Sequence, residues 1–251
     1  SLINLYSENK LPNKILFSGE KGIGKCTLAY HIINCILSLN EENPYDTKNL
    51  QINSENKSFK LVQNKSNPNF ILIDVSSDKK NIEIDQIRNL ILSLNKSSFN
   101  DKPRIVLIDN IESLNLNSVN ALLKILEEPN DNINFILINN NKKILPTLKS
   151  RCLNFKIQLN FEQSIDTINK ILNNNIYDLL NIDLINHYNT PGQLFNLINL
   201  QNQFDLNLKE MNLKDVIFFI IKNKYYKKDS TINQLIYSLI EFYLRSNISV
   251  D

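Results

Sequence analysis

The chain has 251 residues, 42% hydrophobic and 22% charged, with a formal net charge of +2. That is enough chain for a sizeable core in two or three small domains, and the charge does not by itself indicate a nucleic-acid partner. No apolar run reaches the ~20 residues of a membrane helix, the start Ser1-Leu2-Ile3-Asn4-Leu5-Tyr6 is not a signal peptide, and Cys26, Cys35 and Cys152 form neither a C-x-x-C pair nor a disulfide framework, so a reducing cytoplasm is the expected setting and no zinc is expected.

Lys14-Ile15-Leu16-Phe17-Ser18 predicts a short apolar strand that feeds Gly19-Glu20-Lys21-Gly22-Ile23-Gly24-Lys25-Cys26-Thr27. The chain holds only 4 glycines, and three of them are Gly19, Gly22 and Gly24. This is the G-x-x-x-x-G-K pattern of a phosphate loop, in which glycines let backbone N–H groups face phosphate oxygens and the next helix adds its positive end. Lys25 would reach the β- and γ-phosphates, and the following hydroxyl would ligate Mg²⁺. Here that residue is Cys26, a soft thiol where Mg²⁺ favours hard oxygen. Thr27 cannot replace it directly, because one step along a helix turns the side chain by about 100°. ATP or ADP with Mg²⁺, bound without hydrolysis, is the cofactor this loop suggests.

Lys25 to about Leu39 has helix spacing, with Leu28, Ala29, Ile32, Ile33 and Ile36 on one face. Residues 40–68 are polar and Asn-rich and predict a long loop. Phe70–Val75 predicts a buried strand, Ile84 to Leu94 a helix, and Arg104–Asp109 a third strand ending in an acid. Asp109 has two readings, holding Mg²⁺ through water or capping the next turn. Many ATPases of this build place a glutamate next; Asn110 cannot act as a base. Asn117 to Glu128 predicts a helix stopped by Pro129, and Phe135–Ile138 and Asn154–Ile157 predict two more strands. Alternating strands and helices imply a five-stranded parallel sheet covered on both faces. Beyond residue 160 only helices are predicted: Phe161 to Leu172, Ile176 to His187, Pro191 to Leu200, Met211 to Asn223 and Ile232 to Leu244. The expected organisation is a phosphate-loop α/β domain over 1–158, a small helical lid over 159–202, and the start of a helical collar over 203–251, with a break near Gln201-Asn202-Gln203.

Two later segments carry a resemblance. Asn120-Ala121-Leu122-Leu123-Lys124-Ile125-Leu126-Glu127-Glu128-Pro129 and Pro146-Thr147-Leu148-Lys149-Ser150-Arg151-Cys152 are, in order and spacing from the glycine loop, similar to the clamp-loader branch of the AAA+ family. The resemblance covers about residues 1–200. Within that branch the chain is most similar to the δ′ subunits of bacterial DNA polymerase III, the largely inactive members. Cys26, Asn110 and Gln193, which stands where active members carry a phosphate-sensing arginine, point the same way, as does Asp85-Gln86-Ile87-Arg88. The four-cysteine zinc module of many relatives has no counterpart in 40–68.

The resemblance implies a subunit that hydrolyses little or no ATP itself and completes a ring with γ/τ and δ subunits. That ring places a sliding clamp on primed DNA. It also implies that Arg151 reaches a neighbour's ATP as an arginine finger. From residue type alone, Arg151 would instead pair with a helix-end carbonyl or a nearby carboxylate. Leu122, Ile125 and Leu126 are expected in the core, Lys124, Glu127 and Glu128 on a solvated face, and Ser150 and Cys152 in capping and packing. Lys222 to Lys228, basic and aromatic, is read as a solvated inter-helix loop, and His31 and His187 as isolated. Two other readings stay open: an active motor subunit of the same assembly, and a phosphate-loop kinase of small metabolites.

Overall fold

The structure, a computed structural model, describes residues 2–8, 10–76, 79–96, 100–127, 132–186, 189–227 and 229–247. The chain divides into two compact units: Ser1–Glu20 with Gly24–Ile157, and Lys21–Ile23 with Gln158–Asp251.

The first unit opens with α1 (Leu2–Ser7), then β1 (Lys14–Ser18), α2 (Lys25–Leu37), α3 (Lys57–Gln63), β2 (Phe70–Ile73), α4 (Ile84–Leu94), β3 (Arg104–Ile108), α5 (Leu116–Glu127), β4 (Ile133–Asn139), α6 (Pro146–Lys149) and β5 (Leu153–Lys156). All strand pairs are parallel, in the order β2-β3-β4-β1-β5. Successive side chains on a strand face opposite sides, and the strands show it. Ile15, Phe17, Ile105, Leu107, Ile136 and Ile138 pack on one face with Ala29, Ile32 and Ile33 of α2. Leu16, Val106, Ile108, Phe135 and Leu137 pack on the other with Ile87 and Leu90 of α4 and Leu122 and Leu126 of α5. Each such fully buried side chain contributes about 1.5–3 kcal/mol. A sheet apolar on both faces needs continuous apolar strands, which is why these read so clearly in the sequence.

The segment 40–68 departs from the expected loop. It folds back in an antiparallel bridge between Asp46 and Gln51 and then forms α3. Asn56 starts that helix by accepting from the Phe59 N–H at 2.8 Å, and Val62 buries into the α2 side of the core. Its single apolar anchor gives too little periodicity to be predicted. Glu41 then gathers the segment: its carboxylate accepts from Ser58 Oγ at 2.8 Å, Ser58 N at 3.1 Å and Asn56 Nδ2 at 3.0 Å, and pairs with Lys102.

The second unit is helical: α7 (Phe161–Leu172), α8 (Ile176–Leu179), α9 (Pro191–Phe204), α10 (Leu213–Lys222) and α11 (Ser230–Asn247). The helix predicted from Ile176 to His187 stops at Leu179, and a 3₁₀ turn covers Ile182–Leu184. Asn175 and Asn181 each accept an N–H two residues on, which starts two short turns where one helix was expected. His187 lies outside the described residues. α9 runs through the expected break at 201–203, and one hydrophobic cluster extends from Ile165 to Leu239. Tyr225, in the basic-aromatic segment, stacks on Phe204 at 4.1 Å between ring centroids, so its ring serves packing. Lys21–Ile23 belong to this unit. The Gly192 N–H donates to Gly22 O at 2.9 Å and the Thr190 hydroxyl to Lys21 O at 2.9 Å. A Cβ on Gly22 would fall 2.5 Å from Thr190 Oγ1, so glycine is required by close approach there. Among the described residues, no helix is long and apolar enough to cross a membrane.

Candidate functional site

The carboxyl ends of β1, β3 and β4 and the loop after β1 bring the sequence-predicted residues together. The phosphate loop leaves β1 at Ser18, and its Gly19 N–H donates to Asn139 O of β4 at 3.2 Å. Gly24 sits at φ 92°, a left-handed conformation that a side chain would strain, and starts α2 with no side-chain cap. The first intrahelical bond there is Leu28 N to Gly24 O, 2.9 Å. The N–H groups of Lys25, Cys26 and Thr27 therefore have no acceptor within the helix, and together with the positive helix end they suit a phosphate. Lys25, only 3% exposed, donates to Gly19 O at 2.9 Å and Glu20 O at 2.5 Å. Burial lowers its pKa, against the pull of Asp109 and Glu112. The lysine is thus held inside its own loop by two carbonyls.

The metal half of the site does not match. The Cys26 thiol donates to the Asp109 carboxylate, and burial together with that negative charge pushes its pKa up to about 12. The thiol stays protonated and neutral, and offers Mg²⁺ neither a hard oxygen nor a thiolate. Asp109 is itself raised, first by burial and then by Asp74, against the Asn110 N–H at 2.8 Å, Cys26 and Lys25. The carboxylate caps its own turn and stands beside Cys26 of the phosphate loop. The residues fit a nucleotide's phosphates and do not fit the magnesium hydroxyl ligation of an active loop.

Asn110 takes a left-handed conformation, φ 54° and ψ 46°, which asparagine tolerates well. Its amide donates to Asp74 Oδ1 at 2.7 Å and accepts from Asn140 Nδ2 at 2.7 Å. Asn140 also donates from its side chain to Glu112 Oε1 at 3.0 Å and from its backbone to Glu112 Oε2 at 3.2 Å. Asp74, Asn110, Asn140 and Glu112 thus form one chain of hydrogen bonds across the ends of β2, β3 and β4. Sequence reasoning missed Asp74, Glu112 and Asn140. The available signal was a polar residue at or just past the end of each parallel strand, where such sheets bind ligands.

Arg151 lies away from this chain of bonds, just after α6. It donates to Thr147 O at 2.8 Å and pairs with Glu127 at the end of α5. Both partners foreseen from residue type are present. Glu127, expected on a solvated face, is half exposed and paired; Lys124 is exposed and Ile125 half-buried beside the buried Leu122 and Leu126. Glu128 and Pro129 lie outside the described residues. Ser150 ends α6 and donates to Thr147 O at 3.1 Å, and Cys152 packs against the core. Gln193 closes a capping box at the start of α9: its side chain accepts the Thr190 N–H at 2.9 Å. Among the described residues, no cluster of three or more His, Cys, Asp or Glu could hold a metal.

Fold and site define a phosphate-loop α/β protein with a protonated thiol at position 26 and an asparagine at position 110. A family model described as DNA polymerase III, delta subunit, matches residues 1–161, and the chain belongs to that family. This bears out the resemblance to the AAA+ clamp-loader branch. The chain is 31% identical over 224 residues to DNA polymerase III subunit gamma of Buchnera aphidicola subsp. Schizaphis graminum, covering 86% of this chain and 58% of that relative. It is 26% identical over 252 residues to subunit delta′ of the same organism, covering 96% and 74%. To subunit delta′ of Pseudomonas aeruginosa it is 32% identical over 139 residues, covering 55% and 40%. The chain therefore spans less than two thirds of the gamma relative and of the Pseudomonas relative.

Proposed function

We propose that the chain is a δ′-like clamp-loader subunit that does not turn over ATP and supplies Arg151 in trans to the nucleotide of a neighbouring subunit. Its partners in this reading are γ/τ-type and δ-type subunits, a sliding clamp, and primed DNA reached through the complex, in the cytoplasm. The observation that carries the reading is the Cys26–Asp109 pair next to an Asn110 whose amide is bound at both ends. A hydrolytic site needs a metal-ligating oxygen and a group to orient or deprotonate water. Cys26 supplies no such oxygen, and the Asn110 amide cannot deprotonate water and is already bonded to Asp74 and Asn140. The loop amides and Lys25 would hold phosphates if nucleotide binds, and the nucleotide's metal would have to be carried without a side-chain hydroxyl from position 26. Arg151, partly exposed on the last turn before β5, keeps the fork geometry that suits phosphate.

A second reading, an active γ/τ-type ATPase, is favoured by one observation: the gamma relative is 31% identical over 86% of this chain. Steady-state ATP turnover by the purified chain separates the two. The δ′-like reading expects no turnover above background. Turnover of about 1 s⁻¹ or more that disappears in Lys25→Ala overturns it and establishes the motor reading. The small-metabolite kinase has no supporting observation among the described residues.

A further inference from the structure

Arg151 is anchored before any partner arrives. α6 is a single turn, Pro146–Lys149, fixed by Leu148, which is buried against the Leu122 and Leu126 side of the core. From that turn the guanidinium donates through Nη1 to Thr147 O at 2.8 Å and through Nη2 to the Glu127 carboxylate. Two of its five N–H donors are used. Among the described residues the other three take no acceptor, and the Arg151 side chain is 32% exposed. Glu127 itself is 54% exposed. A pair this exposed adds little to stability; what it fixes is the direction of the guanidinium. A free arginine has four flexible torsions to immobilise when it engages a phosphate, and a pre-set fork has fewer.

We infer that Glu127 is the positioning residue for Arg151: it holds the guanidinium so that the remaining N–H donors are presented, already oriented, to the phosphate of a neighbouring subunit's nucleotide. The inference rests on the trans role of Arg151 proposed above. It assigns Glu127 no contact with nucleotide.

The test is the ATPase of the reconstituted clamp-loader complex, with clamp and primed DNA, carrying this chain as wild type, Glu127→Ala, Glu127→Gln, Arg151→Ala and Arg151→Ala/Glu127→Ala. Rates are taken per assembled complex, after gel filtration. Glu127→Ala is expected to lower kcat about three- to tenfold with KM for ATP unchanged, as pre-orientation is lost and binding is not. Glu127→Gln, which can still accept one hydrogen bond, should fall between. The melting temperature of the isolated chain should not move. In the Arg151→Ala background, Glu127→Ala should change nothing further. An unchanged rate in Glu127→Ala while Arg151→Ala slows the complex overturns the positioning role and leaves the trans role standing. An unchanged rate in Arg151→Ala overturns both. A faster rate in Glu127→Ala, or an equal loss in the presence and absence of Arg151, also overturns it.

Discussion

Cys26 carries a thiol where a phosphate loop carries a hydroxyl, and its surroundings make it one of the least reactive groups of the site. With a pKa near 12 against an ordinary 9.0, its thiolate fraction at pH 8 is lower by about three orders of magnitude, partly offset by the greater nucleophilicity of a more basic sulfur. Alkylation of the Cys26 peptide by iodoacetamide, followed by mass spectrometry, should run ~40-fold slower than for an unburied cysteine and keep rising with pH where an ordinary thiol has levelled off. A rate matching free cysteine would show that the thiol is not bound to Asp109. The sign for stability follows. Between about pH 9 and 12 the unfolded chain releases this proton and the folded chain keeps it, so stability falls as pH rises. Asn110 gives a second residue-level expectation. Glutamate at that position would set a second carboxylate against Asp74, whose oxygen lies 2.7 Å from the present amide, and would occupy a left-handed backbone that asparagine accepts more readily. Asn110→Glu should cost about 2 kcal/mol in urea unfolding and restore no ATP turnover. Turnover gained from this single change would mean that the missing base alone silences the site.

At the scale of elements, the 40–68 segment holds together through polar groups. Asn56, fully buried, caps α3 and joins Asn34 and Glu41, and Glu41, whose side chain is 16% exposed, gathers Ser58 and Lys102. Burial would raise the Glu41 pKa, but the bonds from Lys102 and Ser58 outweigh it and hold the carboxyl below its ordinary 4.5. Its contribution is therefore present above that pH and lost as pH falls through the lower folded value. Glu41→Ala should destabilise the chain by about 2–3 kcal/mol at pH 7, and Asn56→Ala by a similar amount, while EDTA should leave the melting temperature unchanged. An EDTA-sensitive melt would reveal a structural metal in the chain. The sheet and its flanking helices were legible because the apolar runs of β1 to β4 and the 3.6-residue spacing of α2, α4 and α5 are one-dimensional patterns; β5 is a largely exposed edge strand of mixed residues. α3 was not, because the hydrogen-bond network among residues 34, 41, 56, 58 and 102 depends on partners distant in sequence; the end of the helix predicted from Ile176 was not, because the caps at Asn175 and Asn181 are local competitors that the apolar spacing does not register. The same holds for the site. Gly19 to Thr27 and Asp109 were readable as a motif. Asp74, Glu112 and Asn140 became visible only when adjacent strands set their ends side by side, and the pairing of Arg151 with Glu127 only when α6 docked on α5.

At the scale of the whole molecule, the chain has a nucleotide-type loop with a thiol at position 26, and an arginine for which a role at another subunit's nucleotide is proposed. The two features make opposite demands on a complex, which allows them to be separated. Lys25 should matter only to nucleotide held by this chain, and Arg151 only to nucleotide held by a neighbour. The most direct measurement is the steady-state ATPase of the reconstituted complex, with clamp and primed DNA, carrying Lys25→Ala or Arg151→Ala in this subunit. Lys25→Ala is expected to leave the rate at the wild-type value and Arg151→Ala to lower it tenfold or more, against the ~10³–10⁵ that an arginine finger supplies in GTPases. A rate that falls with Lys25→Ala and holds with Arg151→Ala would contradict the account and make this chain a motor in its own right.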